Sequence, residues 1–348
     1  MDILSFLDKV IAINNLDKLR KEINHFYSLI ENKSAKNNSI NYRFNGASRS
    51  VQKKFLLNEL KQISETKTIE RTQYYLNRLV KSLVEQKTGK INDLNLNRWK
   101  EYDDIITDSL WLIDKRDKSG VHKADYWGNF IPQIPNQFLR RFTKKDDWVL
   151  DAFLGSGTTL IECQRLGRNG LGIDLSPKAI KSAKGLLKKE ENKFQSKCIL
   201  VEGNSRSIDL KSQVNKNKIS YFQFLFLHPP YWDIIKFSSS KNDLSNAKSI
   251  DDFLKMFGEV LDNSLPHLQK GRYLAVVIGD KYSSGEWIPL GFYVMQEVLK
   301  RNCKLKSTIV KNFDQTLGKR NQKELWRYRA LAGGFYIFKH EYIFLFQK

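Results

Sequence analysis

A glycine-rich turn between an apolar run and a helical segment is the feature that most constrains the fold of this chain. The run 148–150 leads into Asp151-Ala-Phe-Leu-Gly-Ser-Gly-Thr-Thr159, and helical character continues from 158 to about 168. Glycine permits a tight turn and lets a ligand approach the backbone without a Cβ atom in the way. Free N–H groups at the start of the helix attract a negative or polar ligand group. The sequence therefore predicts a strand–turn–helix unit that binds a cofactor.

Short apolar runs alternate with helical segments beyond residue 120, which is typical of a doubly wound α/β sheet. Strands are predicted at 148–150, 170–173, 198–201, 222–227, 273–278, 305–310 and 342–346. Helices are predicted at 158–168, 178–191, 250–265 and 288–300. The run 222–227 is continuously apolar, so we expect it to be buried on both faces. The predicted fold is a Rossmann-like sheet of seven strands that ends in an antiparallel hairpin.

Residues 1–118 have a different, mainly helical character. One apolar stripe at helical spacing consists of Ile3, Phe6, Leu7, Val10 and Ile11. The charged stretch 114–120 ends in glycine and is the predicted boundary. We therefore expect an N-terminal helical domain at 1–118, serving target recognition or partner binding, and an α/β domain at 119–348.

The charge and the cysteine content of the chain limit which kinds of ligand and partner it can have. The formal net charge is +21, from 59 Lys+Arg against 38 Asp+Glu, and most of the excess lies beyond residue 120. The electric field of such a charge attracts a polyanion to the protein. The alternative is that the net charge only reflects a lysine-rich composition with solvated side chains. Three scattered cysteines provide neither a disulfide framework nor a zinc site. No apolar run approaches the ~20 residues of a membrane span, so we expect a cytoplasmic protein without metal or membrane partners.

Polar residues after successive strands favour a nucleoside-bearing cofactor. Asp174 ends the second strand, at about the distance from Asp151 at which a carboxylate reaches ribose hydroxyls, and Asn204 follows the third strand. The dinucleotide fingerprint requires a third glycine where this chain has Leu160, which favours S-adenosyl-L-methionine over NAD. The cofactor-binding residues predicted in the turn and after the next strands are Asp151, Phe153, Gly155, Ser156, Gly157, Thr158, Thr159, Asp174 and Asn204.

The loop His228-Pro-Pro-Tyr-Trp232 follows the fourth predicted strand. Pro229 and Pro230 each fix a φ angle, so the loop is stiff. The Pro229 carbonyl and the His228 ring offer two hydrogen-bond acceptors for an exocyclic amine, and Tyr231 offers a flat face for its ring. These four residues are the predicted catalytic set, with Trp232 as a nucleic-acid contact. An ordinary proline turn that caps a buried strand is the alternative.

The two motifs together resemble those of the S-adenosylmethionine-dependent DNA methyltransferases that act on cytosine N4 or adenine N6. The turn 151–159 is similar to the family signature D-P-F-x-G-S-G-T-T, with Ala152 in place of Pro. Gly167-Arg168 and Gly172-Ile-Asp-Leu-Ser176 match its continuation, which implies that Ser176 also belongs to the cofactor site. The ending 340–346 is similar to H-E-Y-I-L-V-F.

The resemblance also implies roles outside the two motifs. Residues 129–135 resemble the segment that closes over the methionine end of the cofactor, which implies that Phe130 packs there. His228 departs from the family, which has Asp, Asn or Ser at that position. The resemblance implies a double-stranded DNA substrate whose target base swings out, a role in restriction-modification and a possible cognate endonuclease. A homodimer is also possible.

Three other readings stay open at this point. An RNA methyltransferase acting on guanine N2 has the same motif order, and a protein-glutamine methyltransferase has a similar proline loop. A catalytically silent nucleic-acid-binding module could use the same fold. Titration with S-adenosylmethionine separates the last of these from an enzyme.

The stretch 314–329 interleaves cations with aromatic rings, as a nucleic-acid-facing loop requires. The predicted nucleic-acid-binding residues there are Lys319, Arg320, Lys323, Trp326, Arg327 and Arg329. A solvated loop pinned to the core by its aromatics is the alternative. Because 205–221 is too short for a recognition insert, we expect recognition to come from 1–118, from this loop, or from both.

Overall fold

The computed structural model describes residues 2–33, 38–122, 128–283, 285–313 and 323–348. The chain divides into two compact units. One comprises residues up to 90 together with 94–105, and the other comprises 91–93 and 106–348. The division therefore falls before the predicted boundary at 118, because residues 106–118 belong to the larger unit.

The smaller unit is mainly helical but also contains a β-hairpin that we did not predict. Its elements are α1 (Ile3–Ile11), α2 (Leu16–Asn32), β1 (Ser39–Phe44), β2 (Ala47–Gln52), α3 (Lys53–Ser64) and α4 (Ile69–Val84). Asn45 and Gly46, both at positive φ, join β1 to β2. This Asn-Gly pair is the strongest short-range hairpin signal, and the sequence interpretation overlooked it. The apolar faces of the four helices and the hairpin pack into one core.

The larger unit is an α/β domain. Its strands are β3 (Leu110–Trp111), β4 (Trp148–Asp151), β5 (Asn169–Asp174), β6 (Cys198–Glu202), β7 (Phe222–Leu227), β8 (Leu268–Ile278), β9 (Lys281–Ser283), β10 (Glu286–Ile288), β11 (Lys304–Asn312) and β12 (His340–Gln347). Its helices are α5 (Gln133–Phe142), α6 (Thr158–Leu166), α7 (Pro177–Lys189), α8 (Leu210–Lys216), α9 (Ile250–Ser264), α10 (Leu290–Leu299) and α11 (Lys323–Gly333).

Within the described residues the main sheet has eight strands, in the order β3-β11-β12-β8-β7-β4-β5-β6. The strands from β6 to β8 run parallel, and β12 runs antiparallel between β8 and β11. This is the predicted doubly wound sheet with its closing hairpin. The eighth strand corrects the count of seven: Leu110–Trp111 pairs in parallel with β11, although the sequence interpretation assigned these residues to the helical domain.

Both faces of the sheet are buried, which explains the continuous apolar run in β7. Leu225 and Leu227 point into the core formed with α8, α9 and α10, whereas Phe224 and Phe226 point into the core formed with α5. Because successive side chains of a strand alternate between faces, a strand covered on both sides must be apolar at nearly every position.

The ends of the strands determine where a site can form. The carboxyl ends of β4, β5, β6, β7 and β8 meet at one edge of the sheet, where ligands bind in open α/β folds. The antiparallel β12 begins at this same edge. Among the described helices, none is both long and apolar enough to cross a bilayer.

Candidate active site

A cleft of about 1640 Å³ opens at the carboxyl edge of the sheet. It is lined by residues predicted for the cofactor site and for the proline loop, namely Phe130, Phe153, Gly155, Ser156, Asp174, Ser176, Asn204, His228, Pro229, Pro230 and Tyr231. The structure thus brings the glycine turn and the proline loop into one cavity, although 68 residues separate Thr159 from His228.

Asp174 holds the glycine turn in place. Its Oδ2 accepts a hydrogen bond from the Gly155 N–H and its Oδ1 accepts one from the Ser176 N–H, each at 2.8 Å. Burial raises the pKa of this carboxyl, and the two N–H donors oppose that rise. Gly155 and Gly157 have φ values of 53° and 84°, a conformation that side chains disfavour. The turn therefore depends on both glycines and on the carboxylate behind them.

Four predicted cofactor-binding residues do not line the cleft: Asp151, Gly157, Thr158 and Thr159. Asp151 is buried, and its Oδ1 accepts a hydrogen bond from the Phe153 N–H at 3.0 Å. Burial raises the pKa of Asp151 to about 6, partly offset by the Thr159 hydroxyl. Thr158 donates to Asn129 Oδ1 at 2.7 Å. Asp151 and Thr158 thus anchor the chain at the two ends of the turn.

The loop after β6 forms the next part of the wall. Asn204 Oδ1 accepts from the Arg206 N–H at 3.1 Å, and the Ser205 hydroxyl donates to the Ala152 carbonyl at 2.6 Å. The second bond joins this loop to the end of β4. The wall therefore combines a carboxylate, an amide and glycine backbone, a set that suits the hydroxyls and ring of a nucleoside.

His228 lies between two aromatic rings. Its imidazole meets the ring of Phe130 edge-on at a centroid distance of 4.9 Å and the ring of Tyr231 at 5.7 Å. Although the residue is only half-buried at the cleft surface, the surrounding walls desolvate the imidazole, and this burial lowers its pKa to about 4. Glu341 opposes the shift and Lys311 adds to it. His228 is therefore neutral at pH 7 and can accept a hydrogen bond.

A buried ion pair supports Tyr231. The Tyr231 hydroxyl donates to Glu341 Oε2 at 2.8 Å, and Lys311 Nζ lies 3.0 Å from Glu341 Oε1. Burial and Glu341 raise the pKa of this phenol well above its usual value. Gly279 leaves room for the ring, because a Cβ there would lie 2.9 Å from Tyr231 Cε2. Tyr231 is thus fixed from two sides.

The sequence interpretation did not identify Lys311 or Glu341 as site residues. They are directly opposed partners in the β11–β12 ladder, and both line the cleft. The ending 340–346, which resembles that of the family, contains Glu341. Its pairing with Lys311 depends on the register between β11 and β12, which no local sequence pattern reveals.

The charged stretch 114–120, which we predicted as the domain boundary, contributes to another wall of the cleft. Residues 113–116 and Lys118 line it, immediately after β3. Arg116 donates to the Phe130 carbonyl at 3.0 Å, and burial lowers the pKa of its guanidinium. The predicted boundary thus lies inside the larger unit, beside the cleft.

Trp232 lies outside the cleft lining and packs against its own chain. Its indole N–H donates to the Ala247 carbonyl at 3.0 Å, and Lys281 Nζ lies 4.1 Å from its ring centroid. Lys281 also pairs with Asp233. These contacts tie the end of the proline loop to the segment at 247 and to β9.

The predicted basic aromatic loop is partly a helix, α11. Trp326 lines the cleft, whereas Arg327 and Arg329 are exposed outside it, with the Arg329 guanidinium 5.4 Å from the Trp326 ring. Lys319 and Arg320 lie outside the described residues, and for Lys323 only the backbone is described. Among the described side chains, no group of three or more His, Cys, Asp and Glu is arranged to hold a metal ion.

The doubly wound sheet and the cleft at its carboxyl edge define a Rossmann-like methyltransferase fold. A family model described as DNA methylase matches residues 7–185, just over half of the 348-residue chain. The chain belongs to this DNA methylase family. The match extends through most of the N-terminal unit, which the motif resemblance had left unassigned.

Comparison with individual proteins gives shorter matches. The chain is 48% identical over 58 residues to the Type II methyltransferase M.MjaII of Methanocaldococcus jannaschii, covering 17% of this chain and 11% of that protein. It is 37% identical over 98 residues to the Type II methyltransferase M2.LlaDCHI of Lactococcus lactis subsp. cremoris, covering 27% and 33%. The chain thus matches a third or less of the length of these two relatives. The crystal structure of TrmN from Thermus thermophilus superposes with a TM-score of 0.42 at 14% identity, over 63% of this chain and 49% of that one.

Proposed function

We propose that this protein transfers a methyl group from S-adenosyl-L-methionine to the exocyclic amino group of a DNA base, N4 of cytosine or N6 of adenine. One observation supports this most directly: the glycine turn and the His228–Tyr231 loop line the same cleft at the carboxyl edge of the sheet. Membership of the DNA methylase family supports DNA as the substrate.

The residues of the glycine-turn wall fit the proposed cofactor. The Asp174 carboxylate keeps lone pairs for ribose hydroxyls while it accepts the Gly155 and Ser176 N–H groups. The Asn204 side chain retains its NH₂ donors for a ring acceptor, because only its oxygen is used by Arg206. When bound, S-adenosyl-L-methionine supplies an activated methyl group on a sulfonium. Phe130 would pack beside it, next to His228.

The proline-loop wall fits a flat ring that carries an amine. The Tyr231 ring provides the stacking face, and Glu341 with Lys311 fixes the orientation of that face. The Pro229 carbonyl and the neutral His228 ring accept hydrogen bonds from the NH₂ group, which orients its lone pair. As the amine nitrogen gains a methyl group it loses a proton, which the neutral imidazole can accept directly or pass to water. Positioning of the reactants accounts for most of the expected rate.

The biological setting belongs to the same proposal. The two relatives above are named Type II methyltransferases, which supports a role in restriction-modification with a cognate endonuclease. We propose that the N-terminal unit provides target recognition or a partner-binding surface, including a possible homodimer. Trp326, Arg327 and Arg329 would contact the DNA at the cleft mouth.

The test is incubation of the full chain with isotopically labelled S-adenosyl-L-methionine and unmodified DNA, followed by mass analysis of the nucleosides. Labelled N4-methylcytosine or N6-methyladenine is the expected product. Parallel reactions contain transfer RNA, a protein mixture or no polymer. Label in guanosine of transfer RNA, or in glutamine of protein, would replace the DNA proposal, and absence of cofactor binding by calorimetry would reject an enzyme altogether.

A further inference from the structure

An exposed aromatic ring lies at the rim of the cleft, and the chemistry proposed above does not use it. Tyr336 lines the cleft, yet 88% of its surface is exposed, the highest fraction among the large apolar and aromatic residues in the described ranges. A ring this exposed offers a large flat face to a partner that binds in the cleft. We did not identify this residue from the sequence.

The chain on either side of Tyr336 is anchored. Phe335 stacks on Tyr282 at a centroid distance of 4.0 Å, and Phe338 packs on Trp287, also at 4.0 Å. Tyr282 and Trp287 are directly opposed partners in the β9–β10 hairpin, so both anchors rest on the same small sheet. The backbone that carries Tyr336 is therefore held at both ends, and binding through its ring costs little further conformational freedom.

The surroundings of Tyr336 suit a nucleic acid. Trp326 lines the same cleft, and Arg327 and Arg329 are exposed on α11. Lys115 and Lys118 line the cleft from the segment after β3. Cations that bind phosphates beside a ring that stacks on bases are the two elements of a surface for unstacked nucleotides.

We propose that Tyr336 stacks on a nucleobase adjoining the target base and thereby stabilises the DNA conformation in which the target has swung into the cleft. This inference rests on the proposed function and adds a specific contact to it. Removal of a target base from the stack costs free energy in a matched duplex and much less where that base is already mispaired. A residue that stabilises the swung-out conformation therefore matters most for matched DNA.

The experiment compares single-turnover methylation of two duplexes by the full chain. Both are unmodified and contain the site that the protein methylates. In one duplex the target base is correctly paired, and in the other the same target base stands in a mismatch. We expect Tyr336→Ala to slow methylation of the matched duplex roughly tenfold, the scale of one lost base stack, and to slow that of the mismatched duplex less than about twofold. Tyr336→Trp should retain the wild-type rate on both. Equal losses on both duplexes, or no loss on either, would overturn the proposal.

Tyr221→Ala is the matched control, because Tyr221 is 51% exposed at the opposite edge of the sheet, just before β7. It should behave as wild type on both duplexes. A second measurement separates this inference from the proposed function. A 2-aminopurine placed beside a mismatched base reports stacking by its fluorescence, without turnover. If wild type methylates no DNA, the proposed function fails. If the wild-type protein quenches the probe and Tyr336→Ala does not, the contact is still supported. If the probe fluoresces equally with both proteins, the contact is rejected.

Discussion

The Tyr231 hydroxyl donates a hydrogen bond to Glu341 Oε2 at 2.8 Å, and this bond connects the proline loop after β7 to the start of β12. Lys311, the cross-strand partner of Glu341, completes the group at 3.0 Å. The ring proposed to hold the target base is therefore oriented by a buried ion pair on two other strands. A hydrogen bond to a charged group contributes about 1.5–3 kcal/mol.

Tyr231→Phe isolates the contribution of that hydroxyl. The ring face remains, but its tether to Glu341 is lost, so we expect kcat to fall about tenfold, which corresponds to about 1.4 kcal/mol. Cofactor affinity should stay unchanged, because the glycine turn is untouched. Steady-state kinetics and calorimetry check both parts, with Tyr221→Phe as the control. An unchanged kcat would show that the hydroxyl does not position the ring.

The titration of His228 should respond in opposite directions to its two charged neighbours. Its pKa is about 4, below the ordinary 6.5, because of burial and of Lys311, while Glu341 opposes the shift. Lys311→Met removes a positive charge, so the pKa of His228 should rise, whereas Glu341→Gln should lower it further. NMR titration of the imidazole measures both variants.

His267 provides the internal control for these titrations. Burial also lowers its pKa, but the charged groups that act on it are Lys348, Asp209 and Lys211 rather than the cleft pair. Its titration should be the same in both variants. If the pKa of His228 shifts in the same direction in Lys311→Met and Glu341→Gln, the burial of the ring has changed in both variants, and the pair does not act through charge.

Because the pKa of His228 is about 4, its ring stays neutral well below pH 7. We therefore expect that protonation of His228 does not limit activity between pH 7 and about 5.5.

Asp174→Ala should weaken cofactor binding and loosen the glycine turn together. The substitution removes the proposed partner of the ribose and leaves the Gly155 and Ser176 N–H groups without their acceptor. We expect the Kd for S-adenosyl-L-methionine to rise at least tenfold, and the free energy of unfolding to fall by about 1–3 kcal/mol. Calorimetry and chemical denaturation measure the two effects.

Asp262→Ala is the control for Asp174, because Asp262 pairs with Arg301 while its side chain stays 63% exposed. Exposed ion pairs contribute about 0–1 kcal/mol, so this variant should bind cofactor normally and lose little stability. An unchanged Kd in Asp174→Ala would remove Asp174 from the cofactor site, even if its stability fell.

The exposed arginines of α11 should contribute to DNA binding through phosphates. Replacement of Arg327 and Arg329 with Gln should reduce the slope of log affinity against log salt by up to about 2, since each phosphate contact contributes about 0.9. Lys216 and Lys218, which are exposed near the start of β7 at the opposite edge, provide the control pair. An unaltered slope in the arginine variant would show that α11 does not face the DNA.

Local signals allowed much of the sheet and one half of the site to be predicted. The turn at 151–159 carries its own glycines, and the run 222–227 is apolar because both faces of β7 are covered. Each of these patterns depends on contacts within a few residues or on burial alone. The predicted strands therefore match β4–β8, β11 and β12 closely, with differences mostly at their ends.

The remaining parts depend on contacts between distant segments. β3 is only two residues long and exists through its pairing with β11, so no periodicity reveals it. The Lys311–Glu341 pair likewise requires the register of β11 and β12. Trp232 stays a predicted nucleic-acid contact, but no local pattern reveals that its indole N–H is bonded to the Ala247 carbonyl, 15 residues along the chain. Aromatic and charged residues carry little local information about whether they face solvent, a ligand or the protein.

The most direct test of the central claim is a paired measurement on Tyr231→Ala, in which DNA methylation and S-adenosyl-L-methionine affinity are determined on the same preparation. We predict that methylation is abolished while the Kd for the cofactor stays within about twofold of wild type, because the two walls of the cleft bind different molecules. Methylation near the wild-type rate, or a Kd for the cofactor that rises together with the loss of methylation, would contradict the account.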